Sequence, residues 1–403
     1  MSGARKGWCP SLSAPMATGD GLLARLSPRL GLLSPAQLAG IAEAARRHGS
    51  GQIEITIRGN MQIRGLTQQS ASMLADAVAA LAIEAEPAPE IRVSPTAALS
   101  GDDALIAMAA DVRDSLAAAG VTGRLAPKFA ITIDDDRQPT LSRLSADVRL
   151  CRLAAGQWLV AAAGDARTAT VLGQGDRQAA LAAVIALGRT IADFKPDARA
   201  RDLSLHALQT AAHGLSPSAT APDEAYGLIG RFTLKSGASA FGVALPFGQT
   251  EADSLAAFAR ALGRHAAICL APGHGMLIAS FGDTGVADIA VASAASDAGM
   301  ISDSDDPRLR IQACAGAPAC GSGYLETRAL AREMADSDMP AGMSFYVAGC
   351  AKQCARPATP HLAVVGGESG ASIQGVETIV SDPYRRYLRG LARRFAVSRS
   401  LSA

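Results

Sequence analysis

The sequence has little excess charge of either sign, no long apolar run and none of the common hydrolase or nucleotide-binding motifs. Lys and Arg number 38 against 37 Asp and Glu, so no net field attracts nucleic acid or an anionic membrane. The longest wholly apolar stretch, residues 179–188, is about half of the roughly 20 residues that span a bilayer. We find no Gly-x-Ser-x-Gly elbow, no His-Glu-x-x-His pair, no P-loop, and no Gly-x-Gly-x-x-Gly after a strand. These absences argue against nucleic-acid-binding proteins, membrane-spanning proteins, hydrolases and direct dinucleotide binding.

The chain does contain enough apolar sequence for several cores. Hydrophobic residues make up 49% of the 403 residues and charged residues 19%, a balance typical of a globular protein with two to four modules. Residues 1–8 include basic side chains but lead into no apolar segment, so we expect a cytoplasmic protein. In a reducing compartment cysteines favour metal binding over disulfides, and four of the seven lie between Cys314 and Cys354.

A βαββ pattern occurs twice in the chain. The first copy has a strand at 22–26, a helix that begins with a capping box at Ser34, and strands at 53–57 and 61–66. The second copy has a strand at 241–245, a helix capped at Thr250, and strands at 266–270 and 276–281. The similar order and spacing indicate a duplication.

A longer pattern follows each copy. Segments 91–101 and 309–323 resemble each other; each precedes a helix, then a strand (129–133 or 344–348) and a later apolar strand (158–162 or 361–365). The predicted fold is therefore α+β, with two βαββ units alternating with two larger α/β modules. The predicted boundaries are 1–75, 76–213, 224–298 and 299–403, with a linker at 214–223. Such a duplication is expected to pack about a pseudo-two-fold axis, with a site where the halves meet.

Four cysteines of the last module form two pairs. Five residues separate Cys314 from Cys320, and three separate Cys350 from Cys354. Four thiolates suit a 4Fe-4S cluster or a tetrahedral zinc ion, but the five-residue gap is wide for structural zinc. The spacing therefore favours an iron–sulfur cluster and leaves zinc or unligated buried thiols as alternatives.

This cysteine arrangement, in the second half of a duplicated chain, resembles the sulfite and nitrite reductase superfamily. The segment 56–62 is similar to that superfamily's Thr-x-Arg-x-Asn-x-Gln strand, whose Arg faces a tetrapyrrole, and 125–129 resembles its Lys-bearing anion strand. The resemblance implies two ferredoxin-like half-domains and catalytic roles for four residues: Arg58, Asn60, Gln62 and Lys128. It also implies a cationic substrate-binding patch, for which the candidates are Arg25, Arg58, Arg64, Arg92 and Lys128.

Within that superfamily, four segments resemble the precorrin-3B synthase family: 8–10, 14–22, 314–320 and 349–357. The resemblance implies oxygen-dependent hydroxylation of precorrin-3A, with lactone formation, in aerobic cobalamin biosynthesis. The reductases commonly have a second Lys where this chain has Ala130, and sulfite or nitrite needs several converging cations. A sirohaem-dependent sulfite or nitrite reductase is therefore the alternative. A non-enzymatic cysteine-site protein would have no use for the polar strand at 58–62.

The resemblance also implies cofactors and partners. A 4Fe-4S cluster would pass single electrons, and a sirohaem or a mononuclear non-haem iron is expected beside it. Cys354 occupies the place of the cysteine that bridges cluster and haem iron in sirohaem relatives. NADH is the formal electron source and is expected to act through a separate flavoprotein or ferredoxin reductase, because the chain has no dinucleotide fingerprint.

The remaining histidines and cysteines carry weaker signals. His274 and His361 are candidate iron ligands by residue type alone, since no 2-His-1-carboxylate spacing is visible. Cys9 is predicted to be a free thiol and Cys269 a small core residue.

Overall fold

The computed structural model describes residues 9–135, 137–218, 227–280, 288–357, 359–375 and 382–397. In these ranges, four β-sheets alternate with helices along the chain, as the predicted α+β duplication requires. Residues 1–8 and part of the predicted linker at 214–223 lie outside them. No helix in the described ranges is both long enough and apolar enough to cross a membrane.

The first unit contains the predicted βαββ order. Its elements are β1 (Met16–Thr18), β2 (Gly21–Leu26), β3 (Leu32–Leu33), α1 (Pro35–His48), β4 (Gln52–Ile55), β5 (Met61–Leu66) and α2 (Gln68–Ala79). Helix α1 begins where predicted, because Ser34 and Gln37 cap each other's backbone N–H groups. Strand β4 is shorter than predicted: the chain turns after Ile55, and the Gly59 N–H closes the turn by donating to the Thr56 carbonyl.

The second unit has a five-stranded sheet. Its elements are β6 (Glu90–Val93), α3 (Pro95–Ser100), α4 (Asp103–Ala118), β7 (Ala130–Asp134), β8 (Ala146–Arg152), β9 (Trp158–Gly164), β10 (Thr170–Gly175), α5 (Arg177–Phe194) and α6 (Leu205–Ala211). Strands β6, β7 and β8 are parallel, and β9 and β10 are added antiparallel. Sequence reasoning placed Cys151 in an apolar strand but gave no bounds for β8, in which alternate residues are charged. Asp147 is nevertheless buried against Arg199, and Arg149 donates to the Leu144 carbonyl at 2.7 Å.

The second half repeats both units. The third unit contains β11 (Gly230–Thr233), β12 (Ser239–Ala244), β13 (Gln249–Glu251), α7 (Ala252–Ala261), β14 (Ala266–Ala271), β15 (Gly275–Ser280) and α8 (Asp288–Asp297). The fourth contains β16 (Ile311–Ala313), α9 (Thr327–Ala335), β17 (Phe345–Ala348), β18 (Leu362–Val365), β19 (Ser372–Gln374) and α10 (Asp382–Arg394). Strands β16 to β18 are parallel and β19 is antiparallel, which repeats β6 to β9. The counterpart of β18 is therefore β8, and not the strand at 158–162 with which the sequence aligned it.

The two βαββ units exchange an edge strand. Strand β3 pairs with β14 of the other unit, and β13 pairs with β4. Each exchanged strand follows a turn with two left-handed residues, Leu30-Gly31 in one half and Phe247-Gly248 in the other. Helices α1 and α7 pack together over one shared core, whose fully buried side chains include Leu38, Ile41, Leu255 and Phe258. The two halves are thereby joined along a common seam.

Candidate active site

The fourth sheet brings the predicted cysteine ligands together. Cys314 and Cys350 follow the neighbouring parallel strands β16 and β17, whose carboxyl ends lie at the same edge. The Cys314 sulfur accepts the Gly349 N–H at 3.1 Å. Burial raises the pKa of the Cys354 thiol, and the thiols of Cys350, Cys314 and Cys320 raise it further, which places all four sulfurs in one neighbourhood. None of the four is in a disulfide.

Glycines allow the loops that carry the four cysteines to pack closely. A Cβ on Gly349 would lie 3.1 Å from the Gly316 Cα and 3.3 Å from the Gly323 Cα, so these backbone segments pack closely and leave little room for a side chain. In the described ranges, no three or more His, Cys, Asp or Glu side chains are grouped as ligands of one metal ion. A 4Fe-4S cube instead takes one thiolate on each of four separate irons, and this all-thiolate donor set fits such a group.

Strand β5 carries a stripe of polar side chains toward the cysteines. Asn60 directly precedes β5, and Gln62 and Arg64 follow it at alternate positions, so the three side chains share one face. The stripe from Asn60 to Arg64 is roughly 13 Å long, at about 3.3 Å per residue. Arg64 donates to both carboxylate oxygens of Asp20, at 2.9 and 3.0 Å, and to the Ala319 carbonyl at 2.6 Å, one residue before Cys320. The stripe therefore ends against the cysteine loop.

Gln62, in the middle of the stripe, hydrogen-bonds the predicted residue Arg25 and the neighbouring residue Glu54. The Gln62 amide accepts from Arg25 at 2.7 Å and donates to Glu54 at 2.8 Å. Glu54 in turn pairs with Arg328 of α9 at 2.7 Å and with Arg64 at 3.6 Å. Arg328, missed in the sequence, ties this sheet to the cysteine module; a single arginine eight residues after Cys320 gives no recognisable signal.

The other end of the stripe meets the second unit. Asn60 donates to Glu90 at 3.3 Å and accepts from Arg92, which also donates to Glu90 at 2.9 Å. Arg58 donates to Glu90 at 3.2 Å and to the Ser145 carbonyl at 2.9 Å. Burial raises the pKa of Glu90, but Arg58, Arg92 and Asn60 outweigh it and hold the pKa at about 2. The carboxylate is therefore ionised and bridges the two arginines.

The predicted cations differ in how accessible they are. Arg58 keeps one guanidinium nitrogen, Nη2, that is buried without a hydrogen-bond partner among the described residues. Arg64 is 4% exposed and engaged on all sides, so it fixes the β1–β2 turn to the cysteine loop and presents no open face. Lys128 is exposed, and no hydrogen bond or ion pair in the described ranges joins it to the stripe. Its neighbour Pro127 contacts the sulfur of Cys9 through its carbonyl oxygen at 3.8 Å.

The duplicated half lacks this polar face. By strand register, Arg25, Glu54, Gln62 and Arg64 correspond to Gly242, Cys269, Leu277 and Ala279. Helix α3 covers that apolar face with Ala98 and Leu99. Ser94 takes the place of Cys314, because its N–H donates to Ile133 at 3.1 Å as that of Cys314 does to Val347 at 3.0 Å. The two equivalent sites have therefore diverged: one is polar and lies beside the cysteines, and the other is apolar and is covered by α3.

A cleft of about 330 Å³ opens where the halves meet. Ile57 of the first half faces Gln312 and Ala313, the residues directly before Cys314. His274 lines it as well, and its Nδ1 lies 2.7 Å from the Ile55 carbonyl. Two further cationic side chains, Arg143 and Arg308, lie in its wall. Of the two candidate histidines, His274 is therefore in the joint, whereas His361 is buried against Tyr346 in the fourth unit.

Comparisons with known proteins agree with the fold. Residues 14–81 match the family described as the nitrite/sulfite reductase ferredoxin-like half domain. The structure of the Mycobacterium tuberculosis NirA protein superposes with a TM-score of 0.67 at 17% identity, over 95% of this chain and 82% of that one. The chain therefore has a nitrite/sulfite reductase-like fold.

A curated relative narrows this class. A precorrin-3B synthase from Sinorhizobium sp. is 33% identical over 378 residues, which cover 91% of this chain and 82% of the relative. The chain belongs to the precorrin-3B synthase family.

Proposed function

We propose that this protein hydroxylates precorrin-3A with O2 and closes a lactone on it, as a cytoplasmic enzyme of aerobic cobalamin biosynthesis. The observation that carries this proposal is the β5 stripe, which leads from the Arg58–Glu90–Arg92 cluster to the Cys320 loop. The name of the relative, precorrin-3B synthase, indicates the substrate that we propose for this chain. A polycarboxylate bound beside the stripe would meet the partly exposed cations Arg25 and Arg58 near a redox centre.

The cysteines would hold the redox group. Cys314, Cys320, Cys350 and Cys354 would bind a 4Fe-4S cluster, which when bound supplies single electrons. A sirohaem or a mononuclear iron beside Cys354 would supply the open iron position that O2 chemistry needs. We propose that NADH reduces the site through a separate flavoprotein or ferredoxin reductase.

Side chains in and beside the stripe would contact the substrate. Arg58 would bind a ring carboxylate, since its side chain is 28% exposed and a guanidinium matches carboxylate geometry. Glu90 holds Arg58 and Arg92 in place, while Arg25 and Gln62 offer further polar contacts. Lys128 lies exposed in the turn before β7, and not on a strand as predicted, and is proposed to reach the substrate from the second unit.

A combined binding and metal experiment tests this proposal. Protein purified without oxygen is expected to contain iron and sulfide with little zinc, and to bind precorrin-3A. Arg58→Gln should weaken binding about tenfold, as expected for a lost charged hydrogen bond, with unchanged iron content. Arg124→Gln, at an exposed ion pair, is the control. Strong sirohaem bands with sulfite or nitrite turnover would instead favour the reductase alternative.

Cys354→Ser probes the metal side of the same proposal. Loss of one thiolate should lower iron and sulfide content and abolish oxygenation, while the first half stays folded. Turnover at the wild-type rate by this variant would contradict the role given to Cys354. Circular dichroism and the urea midpoint report whether the fold persists.

A further inference from the structure

His274 lies at the joint of the two halves and has no role in the chemistry described above. It occupies the turn between β14 and β15 with a left-handed φ of 70°. The preceding Gly273 N–H donates to the Ile57 carbonyl of the other half at 3.0 Å. A Cβ on Gly248 would lie 2.5 Å from the imidazole Nδ1, so the ring fits closely against a glycine. The imidazole is therefore held in one orientation.

The hydrogen bond of the ring fixes its tautomer. Nδ1 lies 2.7 Å from the Ile55 carbonyl oxygen, and a carbonyl oxygen only accepts, so Nδ1 carries the proton. Burial lowers the pKa of His274, and Arg328 lowers it too, whereas the Ile55 bond and Glu54 raise it. The net lowering keeps the ring neutral near pH 7. Nε2 is then a hydrogen-bond acceptor.

This acceptor has no protein partner in the described ranges. His274 lines the 330 Å³ cleft together with Arg143, Ser304 and Arg308. Arg308 is engaged by Asp306 at 2.6 Å, and the Gln312 side-chain amide donates to the Ala355 carbonyl at 2.7 Å. A ligand that satisfies Nε2 in this cleft brings an N–H or O–H donor, and a tetrapyrrole polycarboxylate carries such groups.

We propose that Nε2 of His274 accepts a hydrogen bond from an N–H or O–H group of the bound substrate, so that the cleft holds one edge of the macrocycle. This role rests on the proposed function and adds a recognition residue from the second half. It also explains why the turn at Gly273 and His274 is joined to the turn that carries Arg58: the two turns would hold adjoining parts of one ligand.

Two variants separate the two ring nitrogens. His274→Asn can keep a donor to the Ile55 carbonyl and tolerates the left-handed backbone, but it removes the acceptor at Nε2. His274→Gln places an amide oxygen near the position of Nε2. Holoprotein of each variant is titrated with precorrin-3A without oxygen, and its iron content and thermal unfolding are measured in parallel.

We expect His274→Asn to bind precorrin-3A about five- to tenfold more weakly, as for a lost neutral hydrogen bond, and His274→Gln to recover most of the affinity. Wild-type affinity should also fall as pH drops through the lowered pKa of His274, and that step should be absent in His274→Gln. The wild type and His274→Gln share the other charged groups around the ring, which are Glu54, Arg328, Arg143 and Arg308.

The outcomes are distinguishable. Equal affinity of wild type and His274→Asn across the pH range, with precorrin-3A still converted, would overturn the role of His274 alone. Failure of the wild-type holoprotein to bind precorrin-3A would overturn the proposed function and this inference together. A loss of affinity that both variants share, with lowered iron content or unfolding temperature, would mark His274 as structural and also overturn the inference.

Discussion

Glu90 is the residue on which the cationic end of the site depends. It was missed in the sequence because an acidic residue two positions before an arginine is an ordinary surface pattern, yet here it bridges Arg58 and Arg92. Arg58, Asn60 and Gln62 were predictable because the family resemblance singles them out, although Arg58 lies in the turn between β4 and β5 and not on a strand as predicted. Most of their partners could not be predicted, because they are distant in sequence: Glu90 and Arg92 lie 30–32 residues away, Arg25 lies 37 residues away and Ser145 lies 87 residues away.

The depressed pKa of Glu90 makes a prediction about acid stability. Its folded pKa of about 2 lies below the usual 4.5, so its stabilising effect is complete above about pH 4.5 and is lost as the pH falls toward 2. Glu90→Gln should therefore lower the free energy of unfolding by up to about 3 kcal/mol at pH 7, and the difference should vanish near pH 2. Urea unfolding from pH 7 down to pH 3 measures this. Asp193→Asn, in an exposed pair with Arg124, should show no such trend.

Arg64 is expected to act on stability rather than on substrate contact. Arg64→Met would leave the partly buried carboxylate of Asp20 without its cation and leave Glu54 with Arg328 alone, at a cost of about 3 kcal/mol. Arg124→Met, which breaks a pair exposed by more than half on each side, should change the urea midpoint little. Equal effects of the two substitutions would contradict the structural role of Arg64.

At the scale of elements, the two cysteine loops depend on close backbone packing. Gly349→Ala would place a methyl group 3.1 Å from the Gly316 Cα and 3.6 Å from the Cys314 sulfur, and should force the loops apart. Gly321→Ala is a matched control in the same region, because its Cβ would meet nothing closer than 4.0 Å. We expect iron and sulfide content to fall in Gly349→Ala only. Full occupancy in both variants would contradict the packing argument.

Most elements were predictable, and the exceptions have physical reasons. Helix α1 and strand β5 matched because a capping box and regular alternation are local signals. The bounds of strand β8 were not predicted because its charged side chains are buried against distant partners, which no local pattern reveals. The exchanged strands β3 and β13 are two and three residues long, and their pairing is set by the other half of the chain.

At the scale of the whole molecule, the duplication produces two equivalent sheet faces, and only the face of the first half keeps polar side chains beside the cysteines. The predicted α+β duplication is confirmed, while the boundaries at 1–75, 76–213, 224–298 and 299–403 stay predictions. The polar face of the first sheet lies against the cysteine module of the second half, so the site exists only when both halves are packed together. A shared core under α1 and α7 keeps that arrangement fixed.

The most direct test is to supply reduced holoprotein with precorrin-3A and isotopically heavy O2 and to follow the tetrapyrrole by mass spectrometry. The proposed function requires a product that has gained oxygen from the gas, with the yield strongly reduced in Arg58→Gln and abolished in Cys354→Ser. Unchanged precorrin-3A from iron-loaded wild-type protein, together with reduction of sulfite or nitrite by the same preparation, would contradict it.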